Sequence, residues 1–167
     1  MGQQWAYHLF ENTKLGKTMI ELAKASISIS APIHAVFDYV TNMENYKEWF
    51  PGVVKIASAN SLNHAEVGKK YTETLSLASG ESQLVIEVVK SESGQLFVTQ
   101  GDLAGILPQM SIHFSVTDEQ NCHVQLQYHA RCSSLPETSG MVTALREDLK
   151  GRAQKATLEL KAILEAV

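Results

Sequence analysis

The stretch that decides the fold is Ala31–Val54, APIHAVFDYVTNMENYKEWFPGVV. Pro32 suits the first turn of a helix, where its missing N–H costs nothing. Val36, Phe37 and Val40 form the apolar stripe of a helix of about three turns. Asn42 can end that helix or cap the next one. Glu44–Phe50 predicts a second, shorter helix, and Pro51-Gly52 forces the chain out of it. Three large aromatics, Tyr46, Trp49 and Phe50, therefore sit on a short helix between two runs of β character.

Outward from this stretch the pattern alternates with a period of two. Ala25, Ile27 and Ile29 face opposite Lys24, Ser26 and Ser28, which predicts a half-buried strand over Ala23–Ser30. Beyond Gly52 come Val53–Ala59, a turn at Asn60–His64, then Lys70–Leu77 and a turn at Ser79-Gly80. Ser82–Lys90 and Gln95–Gln100 follow, separated by a turn at Ser91–Gly94. Gln109–Thr117 and His123–Arg131 close the series as antiparallel runs, each with one polar face. A three-residue loop at Glu119, Gln120 and Asn121 would set Val116 against Val124 and Phe114 against Leu126. The chain then predicts a long helix from Gly140 to about Ala166, with Val142, Leu145, Leu149, Ala153, Ala156, Leu160, Ile163 and Val167 at steps of three and four. Gly151 lies within it, at a cost of about 1 kcal/mol relative to alanine.

Composition narrows the function. The 167 residues favour one domain, with residues 1–22 as an appended segment and 23–167 as the body. The appended segment fits a helix through Trp5, Leu9, Ala6 and Phe10, and equally a strand through Trp5, Tyr7 and Leu9. A net charge of −4 offers no broad positive field for nucleic acid or an anionic membrane surface. No apolar run approaches the roughly 18 residues of a membrane span, so no stable membrane insertion is expected. The N-terminus lacks the apolar stretch of a secretory signal, and Ala6 stands where a myristoylation signal prefers Ser or Thr. The expectation is a cytoplasmic protein. Cys122 and Cys132 share one β-like run, roughly 33 Å apart if extended, too far to bridge without a turn. His113 and His129 share the opposite face, so these four side chains cannot surround one zinc ion. No P-loop, nucleophile elbow or dinucleotide fingerprint occurs; GDLAG at Gly101–Gly105 lacks the lysine of a phosphate cradle. No metal, cofactor or catalytic residue is assigned.

One strand, two short helices, about six more strands and a long amphipathic helix make an α+β chain. In its order, and in SISISAPIHAVFDYVTNMENYKEWFPGVV and GDLAGILPQMSIHFSVTDEQNCHVQLQYHA, it resembles the Bet v 1-like or START-like (SRPBCC) superfamily, which includes polyketide cyclases/dehydrases and coenzyme Q-binding proteins. Phe50 is inserted between Trp49 and Pro51, and Glu119-Gln120-Asn121 replaces the usual Gly-Gly-Thr-type turn. The resemblance covers Ala23 to Val167 and implies a helix-grip: a curved antiparallel sheet of about seven strands around the C-terminal helix, with two short helices between the first and second strands. One fold hosts many activities, so it says more about architecture than about function.

The resemblance also implies an internal cavity for a hydrophobic small molecule, lipid, isoprenoid or polyketide-like. Its wall would be the inward residues Tyr71, Leu75, Leu84, Ile86, Phe97, Met110, Ile112, Phe114, Leu126 and Tyr128, with Met141, Leu145 and Leu149 from the helix. Tyr46, Trp49 and Phe50 would pack the short helices or cover the entrance, and Leu103, Ile106 and Leu107 would reach the mouth. Tyr71 and Tyr128 would orient the ligand through their hydroxyls. Alternation also turns Glu73 inward, either as a buried carboxylate with a raised pKa or as one at the wet end of its strand. The alternative to a binding protein is an enzyme of the cyclase or dehydratase type using Glu73, Tyr71 and Tyr128; so few inward polar groups favour binding. A further alternative is a protein-partner module, such as a chaperone activator or ribosome-associated protein, acting through Trp5 and Phe10 of the N-terminal segment.

Overall fold

The structure, a computed structural model, describes residues 19–77, 80–103, 106–131 and 139–166. Trp5, Tyr7, Leu9, Phe10, Cys132 and Val167, and the readings that depend on them, lie outside those residues. Strand β1 (Ile20–Ile29) leads to helix α1 (Ile33–Thr41), a 3-10 turn (Met43–Asn45) and a single turn of helix α2 (Tyr46–Trp49). Strands β2 (Val53–Ser58), β3 (Lys70–Leu77), β4 (Gly80–Glu92), β5 (Leu96–Gly101), β6 (Pro108–Asp118) and β7 (Asn121–Ala130) follow, then helix α3 (Gly140–Glu165). This is the helix-grip: seven antiparallel strands in the order β1-β7-β6-β5-β4-β3-β2 around one long helix. The expected second helix is instead two short pieces, because the Asn42 side chain accepts from Glu44 N and opens a 3-10 turn. Strand β1 begins at Ile20, three residues before the alternation alone suggested.

The sheet's order sets β1 and β2 at opposite edges, so α1 and α2 must cross between them. Register shifts at Glu21/Ala23, Val53/Lys55, Val88/Lys90 and Val116/Asp118 add the local twist that curls a sheet. Helix α3 lies in the curl and is tied to both sides. Toward β1, Arg146 Nε donates to Glu21 O at 3.0 Å, Lys161 Nζ to Ser28 O at 3.0 Å, and Ser30 N to Glu165 Oε1 at 2.7 Å. These bonds occupy an edge that could otherwise recruit another strand. Toward β3, Arg152 donates to Pro51 O and Ser76 O, both at 3.2 Å, and pairs with Asp148 at 3.0 Å. The guanidinium lies against Gly52, whose φ of +94° suits glycine and whose missing side chain leaves the space.

The β6–β7 hairpin corrects the sequence reading. Its loop is two residues, Glu119 and Gln120, with Asp118 paired to Asn121. The Asp118 carboxylate accepts from Gln120 N at 2.8 Å and from Asn121 Nδ2 at 2.8 Å, which tightens the turn. Phe114 therefore faces Val124, and Ile112 faces Leu126.

Candidate functional site

The inner face of the sheet divides along its strands into a filled part and a hollow one. Phe97, Ile112 and Leu126 are register neighbours on β5, β6 and β7, and all three are fully buried. Phe114 packs edge-on against Phe37 at 5.1 Å. Val36 and Val40 of α1, and Ala153, Ala156 and Leu160 of α3, belong to the same core. These side chains occupy the space themselves. Two residues along the strands, at Met110 and Tyr128, the packing stops and a cavity of about 130 Å³ opens between sheet and helix.

Ten of the seventeen residues proposed from the sequence line that cavity: Tyr46, Phe50, Glu73, Leu75, Leu84, Ile86, Met110, Tyr128, Leu145 and Leu149. Seven do not. Phe97, Ile112, Phe114 and Leu126 belong to the filled part. Trp49 is buried behind the wall, edge-on to Tyr46 at 4.8 Å, and its indole N–H finds no acceptor among the described residues. Tyr71 is fully buried and does not line the cavity; its hydroxyl lies 2.7 Å from His64 Nδ1. Met141, in the first turn of α3, is 54% exposed because Val142 takes the inward position.

Leu103 and Ile106 line the cavity as expected of the mouth; Leu107 does not, and its φ of 47° marks a strained turn before β6. The sequence reading missed Leu22, Met43, Leu77, Thr99, Gly101, Pro108, Gln109, His129, Asp148 and Arg152. Leu22 could not be found by alternation, which turns Glu21 inward; the register shift between Glu21 and Ala23 brings Leu22 to the inner face instead. Asp148 and Arg152 share the helix face of Leu145 and Leu149 at steps of three and four; their charge, not their spacing, pointed to solvent.

Glu73 is the one carboxylate buried in the wall. It is 5% exposed and makes no hydrogen bond or ion pair among the described residues. This removes the wet-end reading, since the residue stands fourth in β3, opposite Leu84 of β4. Burial without a partner pushes its pKa up to about 7. Two phenols share its neighbourhood. The Tyr46 and Tyr128 hydroxyls are 3.0 Å apart, and Tyr128 donates to Met110 Sδ at 3.2 Å. Burial, first of all, raises both phenol pKa values, and the Glu73 charge adds to the shift. Tyr46 stacks on Phe50 at 5.0 Å, and Phe50 lies 5.4 Å from Tyr128. The site is an apolar chamber with a three-ring wall and one acid. It can enclose a small apolar body and exchange a proton or hydrogen bond at Glu73.

Among the described residues, no helix is long and apolar enough to cross a membrane. No curated protein matches the sequence. Solved structures do match the fold. The di-domain ARO/CYC StfQ from the steffimycin biosynthetic pathway is 14% identical with a TM-score of 0.69, over 93% of this chain and 54% of that one. This chain thus spans about half the length of that protein. A START superfamily protein from Mycobacterium smegmatis is 12% identical with a TM-score of 0.68, over 87% of this chain and 98% of that one. The Zhui aromatase/cyclase from Streptomyces sp. R1128 is 12% identical with a TM-score of 0.65, over 89% and 93%. At such identities the likeness speaks for the fold alone. A family profile described as polyketide cyclase / dehydrase and lipid transport matches residues 22–165. With nearly the whole body of the chain matched, the protein belongs to the polyketide cyclase / dehydrase and lipid transport family.

Proposed function

We propose that the protein binds a compact apolar small molecule in the chamber between the sheet and α3. The observation that carries this reading is the sheet's unfilled half, where Leu75, Leu84, Ile86, Met110, Leu145 and Leu149 surround space that no side chain of the described residues occupies. Apolar contact supplies affinity at about 25 cal/mol per Å² removed from water. At about 130 Å³ the chamber is smaller than the 300–1,000 Å³ typical of sites for drug-sized ligands, so the guest is small or reaches out through the mouth. Leu149→Trp tests this, because a half-buried helix position facing the chamber can place the indole inside it. Organic extracts of the purified protein should contain a hydrophobe by mass spectrometry, and the same extract from the tryptophan variant should lose it. A variant that retains the bound molecule at wild-type stoichiometry refutes the reading.

Glu73 favours a second reading, acid–base catalysis of the dehydration or cyclisation type. A carboxyl group titrating near neutrality beside two phenols can give and take a proton at working pH. Turnover of a β-hydroxyketone to its enone that Glu73→Gln abolishes, with binding retained, would establish it. Binding without turnover would exclude it for that substrate class.

A further inference from the structure

The polar end of the chamber is rich in acceptors and poor in free donors. Tyr128 spends its hydroxyl proton on Met110 Sδ, so in the 3.0 Å phenol pair Tyr46 is the donor and Tyr128 the acceptor. Arg152 is the one guanidinium in the described wall, and three of its five N–H groups go to Asp148, Pro51 O and Ser76 O. Gln109 takes a hydrogen bond from Gln100 and gives one toward Ser111. Burial holds the His129 ring toward its neutral form. What remains among the described residues is the Thr99 hydroxyl, which can donate or accept, and the Glu73 carboxylate, buried and unpartnered, with the Tyr46, Phe50 and Tyr128 rings in the same wall.

A guest that complements such a surface brings donors, and positive charge suits it best. An ammonium group offers up to three N–H donors to a carboxylate that has none. The negative faces of aromatic rings attract the same cation. A carboxylate guest would meet Glu73 with like charge, and the one guanidinium of the described wall, Arg152, is already paired with Asp148. A buried charge left unpaired is costly, and a cationic guest is the change that pairs this one without altering the protein.

We propose that the chamber takes a compact apolar amine, with its ammonium group on the Glu73 carboxylate beside the Tyr46–Phe50–Tyr128 wall. This rests on the reading of the chamber as a binding site and specifies its guest. Octylamine, 1-octanol and octanoate separate the possibilities, being alike in chain and different in charge. Each is titrated at pH 8 into the full chain, wild type and Glu73→Gln, and followed by shifts of backbone amides along β3 and β4 in NMR spectra. Octylamine should bind at least tenfold tighter than 1-octanol, with octanoate weakest. Glu73→Gln should weaken octylamine tenfold or more and change 1-octanol less than threefold. Wild-type binding of 1-octanol or octanoate as tight as that of octylamine overturns the amine proposal and leaves the chamber's binding role standing. So does an octylamine affinity untouched by Glu73→Gln. Failure of all three to shift the chamber residues overturns both. The ranking in the wild type decides the matter even if the variant does not fold.

Discussion

Replacing Glu73 by glutamine should stabilise the protein, and by an amount that depends on pH. The carboxyl is buried without a partner, and its pKa rises from 4.5 to about 7 on folding. A raised acid pKa means that the native state holds its proton more tightly than the unfolded chain. Stability contributed by the protonated form is present at low pH and is lost as pH climbs from the unfolded value through the folded one. Above pH 7 the full penalty applies, and a shift of this size corresponds to about 3 kcal/mol. Glutamine cannot ionise, so the variant escapes that loss. Urea unfolding followed by tryptophan fluorescence at pH 5 and pH 8 reads the difference directly. The gap in unfolding free energy between Glu73→Gln and wild type should widen by roughly 2–3 kcal/mol between the two pH values. Any constant cost of seating the amide cancels in that comparison. A gap equal at both pH values, or one that narrows toward pH 8, would refute the idea that this carboxyl is ionised against its surroundings.

The other predictions concern what holds the chamber in shape. Tyr128→Phe removes a buried hydroxyl bonded to Tyr46 and Met110, and should cost about 1–2 kcal/mol in chemical denaturation; no loss would mean the pair is not formed in solution. Gly52→Ala puts a methyl group where the Arg152 guanidinium lies, at a backbone angle suited to glycine, and should cost at least about 1–3 kcal/mol. Arg152→Ala combined with it should recover the steric part, and purely additive losses would refute the contact. Leu126→Ala, in the filled half, should cost about 2–5 kcal/mol and leave the affinity for a chamber ligand within a few-fold of wild type. A loss of binding out of proportion to stability would show that the two halves are coupled.

Much of the fold was legible because burial repeats every second residue in the strands and every third or fourth in the helix. Where a local reading failed, two arrangements satisfied the same pattern. At the β6–β7 turn, moving the register by two residues leaves Phe114 and Val124 facing inward under either pairing, so the alternation could not choose; the Asp118 side chain chose. The chamber was half legible for a related reason. Alternation says that Ile112 and Met110 share a face, but not which of them meets a filled neighbour. That depends on where α1 places Phe37 and where α3 places Leu160, contacts between residues far apart in sequence. Glu73 was visible as an inward acid. Its depth was not, since the residues that share its chamber, Tyr46 and Tyr128 among them, lie far from it in sequence. Arg152 was hidden because two of its three partners are backbone carbonyls, Pro51 O and Ser76 O, which leave no mark in the sequence.

The pairing of β1 with β7 has a consequence for how the protein is made. Ile20 and Ile29 find their neighbours at Ala130 and Cys122, so among the described strands the first to leave the ribosome waits for the last one. Until Asn121–Ala130 has emerged, Ile20, Leu22 and Ile29 have no sheet to join, and such long-range closure is slow. A nascent chain stalled before Asn121 should therefore be cut rapidly by protease at β1, and one released at full length should resist. Early protection of β1 in the stalled chain would mean that some other contact shelters it during synthesis.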